Sequence, residues 1–426
     1  MSEERFEVIV IGGGLAGLSA AYRLSKAGRK VLVLEKAPFS GAKNVSGGRI
    51  YTYALDKLMG DEWKDAPLER EINQEQLMMM NGEDAVVVNT TTNNLAGQSY
   101  SVLRARFDKW LAGKVEAAGG LVIGGATVTG LIRKDGRVCG VTVGEEELEC
   151  DLVIDAEGVN ALVAERAGVI SPIRLENIAV GAKHVIRLKE EVINERFNTD
   201  SDKGVAMIGM GSANNNIFGG FFMYTNKDTI SIGLVQDSKT WKENGISLPD
   251  AMEELKQHPV IGKYIDGGEL VEYTAHLIPE GGYDAFSEFC GDGILVTGDA
   301  AGLCMNRGFT VRGMDYAIMS GIAAADTAIK ALEKGVFTKD FLSMYKTSLE
   351  HNVLNDFKTL QKGHQYMANS EYLFKTYPEL AISALQSMYK VDGSAIENVG
   401  KTIKHGMPKF KLFSVAKDAL KGVLSL

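Results

Sequence analysis

The stretch Phe6-Glu7-Val8-Ile9-Val10-Ile11-Gly12-Gly13-Gly14-Leu15-Ala16-Gly17 decides the fold. Its first half is a short β-branched run, the composition of a buried parallel strand. It passes straight into G-x-G-x-x-G at Gly12, Gly14 and Gly17. A helical stretch from Leu15 to Ala27 follows and stops at Gly28, and a second strand, Val31 to Leu34, is closed by Glu35. Each piece has a physical task. Gly12 allows the tight turn, Gly14 lets a pyrophosphate approach the backbone, and Gly17 lets the helix pack on the sheet. Amides at the helix N-terminus face the phosphates, and Glu35 can accept hydrogen bonds from ribose hydroxyls. Strand, loop, helix, strand and acid in this register predict a dinucleotide site.

Outward from that unit, the chain has 426 residues, 45% hydrophobic and 24% charged, with a formal charge of −9. That is ordinary for a folded protein of two or three domains and excludes disordered, collagen-like and disulfide-scaffold classes. The acidic balance argues against nucleic acid, which needs a clustered basic surface. Cys139, Cys150, Cys290 and Cys304 are scattered with no C-x-x-C pair, so they read as buried reduced thiols rather than ligands of zinc or an iron–sulfur cluster. Met1-Ser2-Glu3-Glu4-Arg5 lacks the basic start of a signal peptide, and no apolar run approaches the ~20 residues of a membrane span. A cytoplasmic location is expected, with membrane contact left open.

Later segments choose the dinucleotide. Cys150 to Asn160 is a strand ending in Ala156-Glu157-Gly158, and Gly293 to Gly302 is a strand ending in Gly298-Asp299. The pair resembles the flavoprotein pattern of the glutathione-reductase-like superfamily, in which the late aspartate, here Asp299, binds the ribityl chain of FAD. The segment Arg104-Ala105-Arg106-Phe107-Asp108 opens a helix and is similar to one in the same flavoproteins, where the arginine approaches the cofactor; Arg104 is preferred to Arg106. Asn306 to Met314 leads into a helix with Ile318, Ile322, Ala325 and Ile329 at threes and fours. In the resembling fold its N-terminus, at Gly313 and Met314, faces the flavin pyrimidine.

Ser40-Gly41-Ala42-Lys43-Asn44-Val45-Ser46-Gly47-Gly48-Arg49-Ile50, with Gly308-Phe309-Thr310-Val311-Arg312-Gly313-Met314-Asp315, closely resembles the FixC family, relatives of electron-transfer-flavoprotein:quinone oxidoreductase. The resemblance implies FAD held by Gly12, Gly14, Ala16, Gly17, Glu35, Lys36, Lys43, Ser46, Gly47, Gly48, Arg104, Val128, Glu157, Gly158, Gly298, Asp299, Gly313 and Met314. It also implies electrons arriving from a FixA/FixB-like electron-transfer flavoprotein and leaving toward quinone, in some assemblies by bifurcation. The quinone oxidoreductase relative carries its own cluster; this chain lacks the cysteines, so a separate ferredoxin-like FixX subunit would supply one. The alternative is a geranylgeranyl or prenyl-chain reductase, which shares the flavoprotein architecture. No catalytic acid or base and no metal ligand is assigned.

The expected fold class is α/β: a Rossmann-like FAD-binding domain (1–55, 100–174 and 286–345), an inserted and largely antiparallel acceptor sheet (56–99 and 175–285), and a helical C-terminal region (346–426). Phe218, Phe221, Phe222 and Tyr224 are candidates for an acceptor pocket, and His184, His258 and His276 lie in the same segment. From residue 400 on, Lys401, Lys404, Lys409, Lys411, Lys417 and Lys421 stand against one acid, Asp418. Phe413, Ala416, Leu420, Val423 and Leu424 recur among them at threes and fours, a basic amphipathic helix. Such a helix lies on a membrane, docks on a partner, or packs on its own domain.

Overall fold

The computed structural model describes residues 5–43, 48–245, 247–370, 372–393, 395, 398, 400–401 and 412–425. Val8–Ile11 is central in a six-stranded sheet, flanked by Val31–Glu35 and then Leu121–Gly124 on one side, and by Leu152–Asp155, Ile294–Val296 and Cys290–Gly291 on the other. All its pairings are parallel except the last, between Cys290–Gly291 and Ile294–Val296.

The unbroken apolar runs of the first strands have a direct explanation. Val8, Val10, Val31, Val33, Leu152 and Ile154 join one core with the helices Leu15–Lys26, Arg104–Ala117 and Met314–Lys334. Ile9, Ile11, Leu32, Leu34 and Val153 point the other way, into a core shared with Val128, Val138 and Val141 of a three-stranded antiparallel sheet. Period-two alternation is therefore present, but both faces are buried and both need apolar residues. Each such side chain contributes roughly 1.5–3 kcal/mol.

A nine-stranded sheet forms the second layer, with Glu269–Pro279, Ile178–Arg187, Thr229–Asp237, Gly219–Thr225, Lys203–Gly211 and Leu68–Asn81 running in that order. It is antiparallel except where Lys203–Gly211 meets Leu68–Asn81 in parallel. Two short strands that the sequence groups with the nucleotide half, Arg49–Tyr51 and Ser99–Val102, hydrogen-bond into this second sheet instead. Between them lies the helix Thr52–Met59, whose Leu55, Leu58 and Met59 belong to the nucleotide-side core. The chain thus crosses between the layers here more often than composition suggests, because short edge strands carry too few side chains to display a period.

Beyond residue 342 the described chain is helical, and it closes over the end of the second sheet. Phe218 is packed with Tyr366, Met367 and Phe374 there. The tail helix Leu412–Ser425 turns Val415 and Gly422 inward, and its Asp418 accepts hydrogen bonds from the hydroxyls of Tyr366 and Tyr377, each at 2.7 Å. Its apolar stripe faces out: Phe413, Leu420, Val423 and Leu424 are 61–84% exposed. The tail therefore sits on its own domain through its small and polar side, the reverse of the usual amphipathic arrangement. Lys404, Lys409 and Lys411 lie outside the described residues.

Candidate functional site

One cavity of about 690 Å³ runs between the two sheets. At one end, Gly12 adopts φ +99°, and a Cβ there would stand 2.4 Å from the Ala156 carbonyl oxygen. A Cβ on Gly17 would reach within 2.0 Å of the Gly12 oxygen, so helix and loop meet backbone to backbone. Gly14 precedes the helix Leu15–Lys26 in an extended conformation, and no side chain caps that end. Its first amides are free of side-chain acceptors and suited to an anion. Glu35, buried, accepts from Gly13 N and Ala37 N at 2.7 Å each, which fixes its carboxylate at the cavity wall. Cradle, uncapped helix and oriented carboxylate fit the diphosphate and ribose of a dinucleotide.

Of the residues expected at the cofactor, Gly12, Gly14, Ala16, Glu35, Lys36, Lys43, Gly48, Arg104, Val128, Glu157, Gly158, Asp299, Gly313 and Met314 all line this cavity. Gly17 and Gly298 do not; they support it from behind, and a Cβ on Gly298 would lie 2.8 Å from the Ala16 Cβ. Ser46 and Gly47 lie outside the described residues. The Glu157 carboxylate is turned to the start of a short helix, accepting from Val163 N at 2.7 Å and Ala164 N at 3.2 Å. What faces the cavity at this turn is therefore set by Gly158, at φ +84°.

Arg104 rather than Arg106 reaches the cavity. It grips Asp108 through Nε and Nη2, both at 2.7 Å, whereas Arg106 points outward toward Glu69. Burial pushes the Asp299 carboxyl up to about 6, with the Arg104 charge pulling it down. The helix Met314–Lys334 is aimed by Arg312, which donates to Asp315 at 2.6 Å, to the Tyr53 hydroxyl at 2.9 Å and to Asp356 at 3.0 Å. This clamp holds Gly313 and Met314 at the cavity wall.

The far end of the cavity is apolar, with Ile208, Met210, Phe222, Ile278, Phe309, Met367, Leu373 and Phe374. Of the four aromatic residues expected near an acceptor, Phe221, Phe222 and Tyr224 line the cavity; Phe218 does not, since it packs against the C-terminal helices. Of the three histidines only His276 lines the cavity, where burial and the charges of Lys36 and Arg104 lower its pKa. His258 instead caps the helix Pro259–Ile265. Among the described residues no cluster of three or more His, Cys, Asp or Glu is placed to hold a metal ion, and all four cysteines are buried thiols.

Sequence reading missed Lys183, Glu280 and the contributions of Met367, Leu373 and Phe374. Lys183 is 1% exposed and pairs with Glu272 at 3.0 Å. Glu280 is 5% exposed and its Oε1 has no partner. A signal for Glu280 existed: Pro279-Glu280-Gly281-Gly282 ends a strand in acid and glycine, much as Gly298-Asp299 does. Burial pushes the Glu280 carboxyl up to about 7, Asp237 adding to this and the Asn306 side chain opposing it. Because its native pKa lies above the ordinary 4.5, its contribution to stability is full below pH 4.5 and is lost as pH rises through 7. Glu280→Gln should therefore gain about 3 kcal/mol over the parent at pH 8 and nothing at pH 4. Urea unfolding midpoints at the two pH values check this.

A family model described as FAD dependent oxidoreductase matches residues 7–200. Protein FixC of Escherichia coli O157:H7 is 41% identical over 429 residues, covering 100% of both chains. The chain belongs to the FixC family. Two further models match this FixC-family chain: ETF-QO, ubiquinone-binding, over residues 179–278, and ETF-QO/FixC family C-terminal domain, over residues 363–426. A protein described as probable electron transfer flavoprotein-quinone oxidoreductase YdiS, of Escherichia coli (strain K12), is 39% identical over the full length of both. A geranylgeranyl bacteriochlorophyll reductase-like protein of Thermoplasma acidophilum superposes with a TM-score of 0.73 at 20% identity, over 97% of this chain and 99% of that one, and shares the fold. The FixC-family chain is an FAD-dependent oxidoreductase of the electron-transfer-flavoprotein:quinone oxidoreductase type. Among the described residues no helix is long and apolar enough to cross a membrane.

Proposed function

We propose that this chain takes electrons from a FixA/FixB-like electron-transfer flavoprotein and passes them to quinone, alongside a FixX-like ferredoxin subunit that carries the cluster. The observation that carries the reading is the single cavity, dinucleotide cradle at one end and apolar at the other. Its apolar wall includes Ile208, Phe222 and Ile278, within the segment matched by the ubiquinone-binding model. Gly12, Gly14 and the uncapped helix would hold the diphosphate, Glu35 the adenosine ribose, Asp299 the ribityl chain, and the Gly313–Met314 end the flavin pyrimidine. Bound FAD supplies a redox centre that accepts and releases electrons singly or in pairs. The chain's own groups bind it, keep water from it and place positive helix-end dipole beside it. A chain this far from a membrane span would meet its lipid-soluble acceptor at the surface of the bilayer, through the outward apolar stripe of the tail helix and its Lys417 and Lys421.

The sequence has one glycine fingerprint on a strand–helix unit and no second one for a nicotinamide dinucleotide. Anaerobic mixing tests the consequence. NADH alone should bleach the bound flavin slowly, and NADH with the electron-transfer flavoprotein pair should do so at least about 100-fold faster, as expected when a bimolecular encounter with no binding site is replaced by a docked one. Rapid reduction by NADH alone would sink the partner-dependent reading.

A further inference from the structure

Glu280 is a buried carboxyl of the cavity wall that has no part in the nucleotide cradle and, among the described residues, no salt bridge. It sits just after the strand Glu269–Pro279, where its backbone N–H donates to Asn177 O at 2.9 Å. The side chain is 5% exposed, lines the cavity, and leaves Oε1 without a partner. The Asn306 side chain on the hairpin Met305–Arg312 favours the ionised carboxyl, and Phe309 and Thr310 of that hairpin line the same cavity. A buried carboxyl with an unpartnered oxygen costs stability, and one that lines a cavity is placed to exchange a proton with what the cavity holds.

We propose that Glu280 is the proton donor to the acceptor reduced in this cavity: its carboxyl gives a proton to a quinone oxygen as the quinone becomes a hydroquinone. The inference rests on the quinone reading above. A quinone takes up two electrons and two protons; bound reduced FAD would supply both electrons and one proton, Glu280 gives the second proton, and its carboxylate regains a proton from solvent. The groups around it set the pH range. Asp237, closing the strand Thr229–Asp237, disfavours its ionisation, and Cys304 beside it is a buried thiol kept protonated. From the helix Gln361–Asn369, His364 packs where a Cβ on Gly282 would lie 3.3 Å away, and burial lowers its pKa, leaving it neutral at pH 7. Asp299 raises the Cys304 thiol further and is itself pulled down by Arg104, and Lys36 and Arg104 keep His276 lowered. Burial pushes Glu280 up to about 7 and Asp299 up to about 6, and Glu280→Gln separates the two titrations in this cavity.

The test uses the full-length FAD-loaded protein and Glu280→Gln, which keeps shape and hydrogen bonding. Pre-reduced protein is mixed with a short-chain ubiquinone across pH 5.5–8.5, about one and a half units on either side of 7. It is also mixed with ferricenium, which takes electrons without protons. Parent protein should reoxidise with quinone at a rate that falls as pH rises through about 7. The variant should be about 100-fold slower below that pH, flat across it, and unchanged toward ferricenium, the lower range of what a positioned acid contributes. Infrared difference spectra should show a protonated carboxylic acid in the parent at low pH, vanishing above neutrality and absent from the variant. Equal quinone rates and pH profiles in parent and variant, or an equal slowing with ferricenium, would overturn the role of Glu280. A parent that reduces no quinone would overturn the functional reading, and this inference with it.

Discussion

Purified Gly12→Val protein is expected to emerge colourless. The substitution forces a β-branched residue into φ +99° and sets its Cβ 2.4 Å from the Ala156 carbonyl oxygen. Backbone strain of this kind costs about 1–3 kcal/mol before any displacement of Ala156. The two further methyl groups crowd the Ala156–Glu157 backbone and displace the loop that carries Gly14. FAD occupancy should fall by about 100-fold or more, since each 1.4 kcal/mol is a factor of ten. Flavin absorbance per polypeptide measures it, with circular dichroism confirming a folded chain. Gly28→Ala is the control: its φ is +74°, yet nothing lies within 4 Å of the added Cβ, so it should lose a little stability and keep its flavin. A yellow Gly12→Val protein with full occupancy would refute the cradle.

The second large effect belongs to the tail. With Phe413 84% and Leu420 61% exposed, the double change Phe413→Glu and Leu420→Glu removes no internal contact that holds the fold. The helix stays seated through Val415, Gly422 and the two tyrosine hydroxyls on Asp418. On vesicles containing anionic lipid, the parent should float with the lipid and the double variant should remain in the dense fraction. Burying two such side chains contributes about 3–5 kcal/mol, a change of about 10²–10⁴ in partitioning. Replacing Lys417 and Lys421 by Gln should weaken flotation by less, about 1 kcal/mol for each charge, and only at low salt. Unchanged flotation of the double variant would remove the membrane role of this helix.

The cradle was legible because it is local. Gly12, Gly14, Gly17 and Glu35 fall within a single strand–helix–strand unit, where spacing translates directly into geometry. Asp299 and Arg104 were reached through the flavoprotein resemblance, and each stands in the first turn of an element that meets the cavity. The tail helix was readable as amphipathic but not in its orientation. Periodicity tells which residues share a face, and here the tyrosine hydroxyls on Asp418 turn the Val415–Asp418–Gly422 side inward and leave the apolar stripe outside. Phe218 and Phe222 look alike in sequence, yet one is packed with Tyr366 and Phe374 while the other lines the cavity.

The sequence by itself determined the nucleotide end of this protein and its chemistry, since backbone approach to a diphosphate demands glycine at set positions along one continuous segment. Only the tertiary structure decided the other end. There Glu280, Asn306, Phe222 and Met367 arrive from four separate elements, and a carboxyl acquires its idle oxygen and raised pKa from burial that no local spacing encodes.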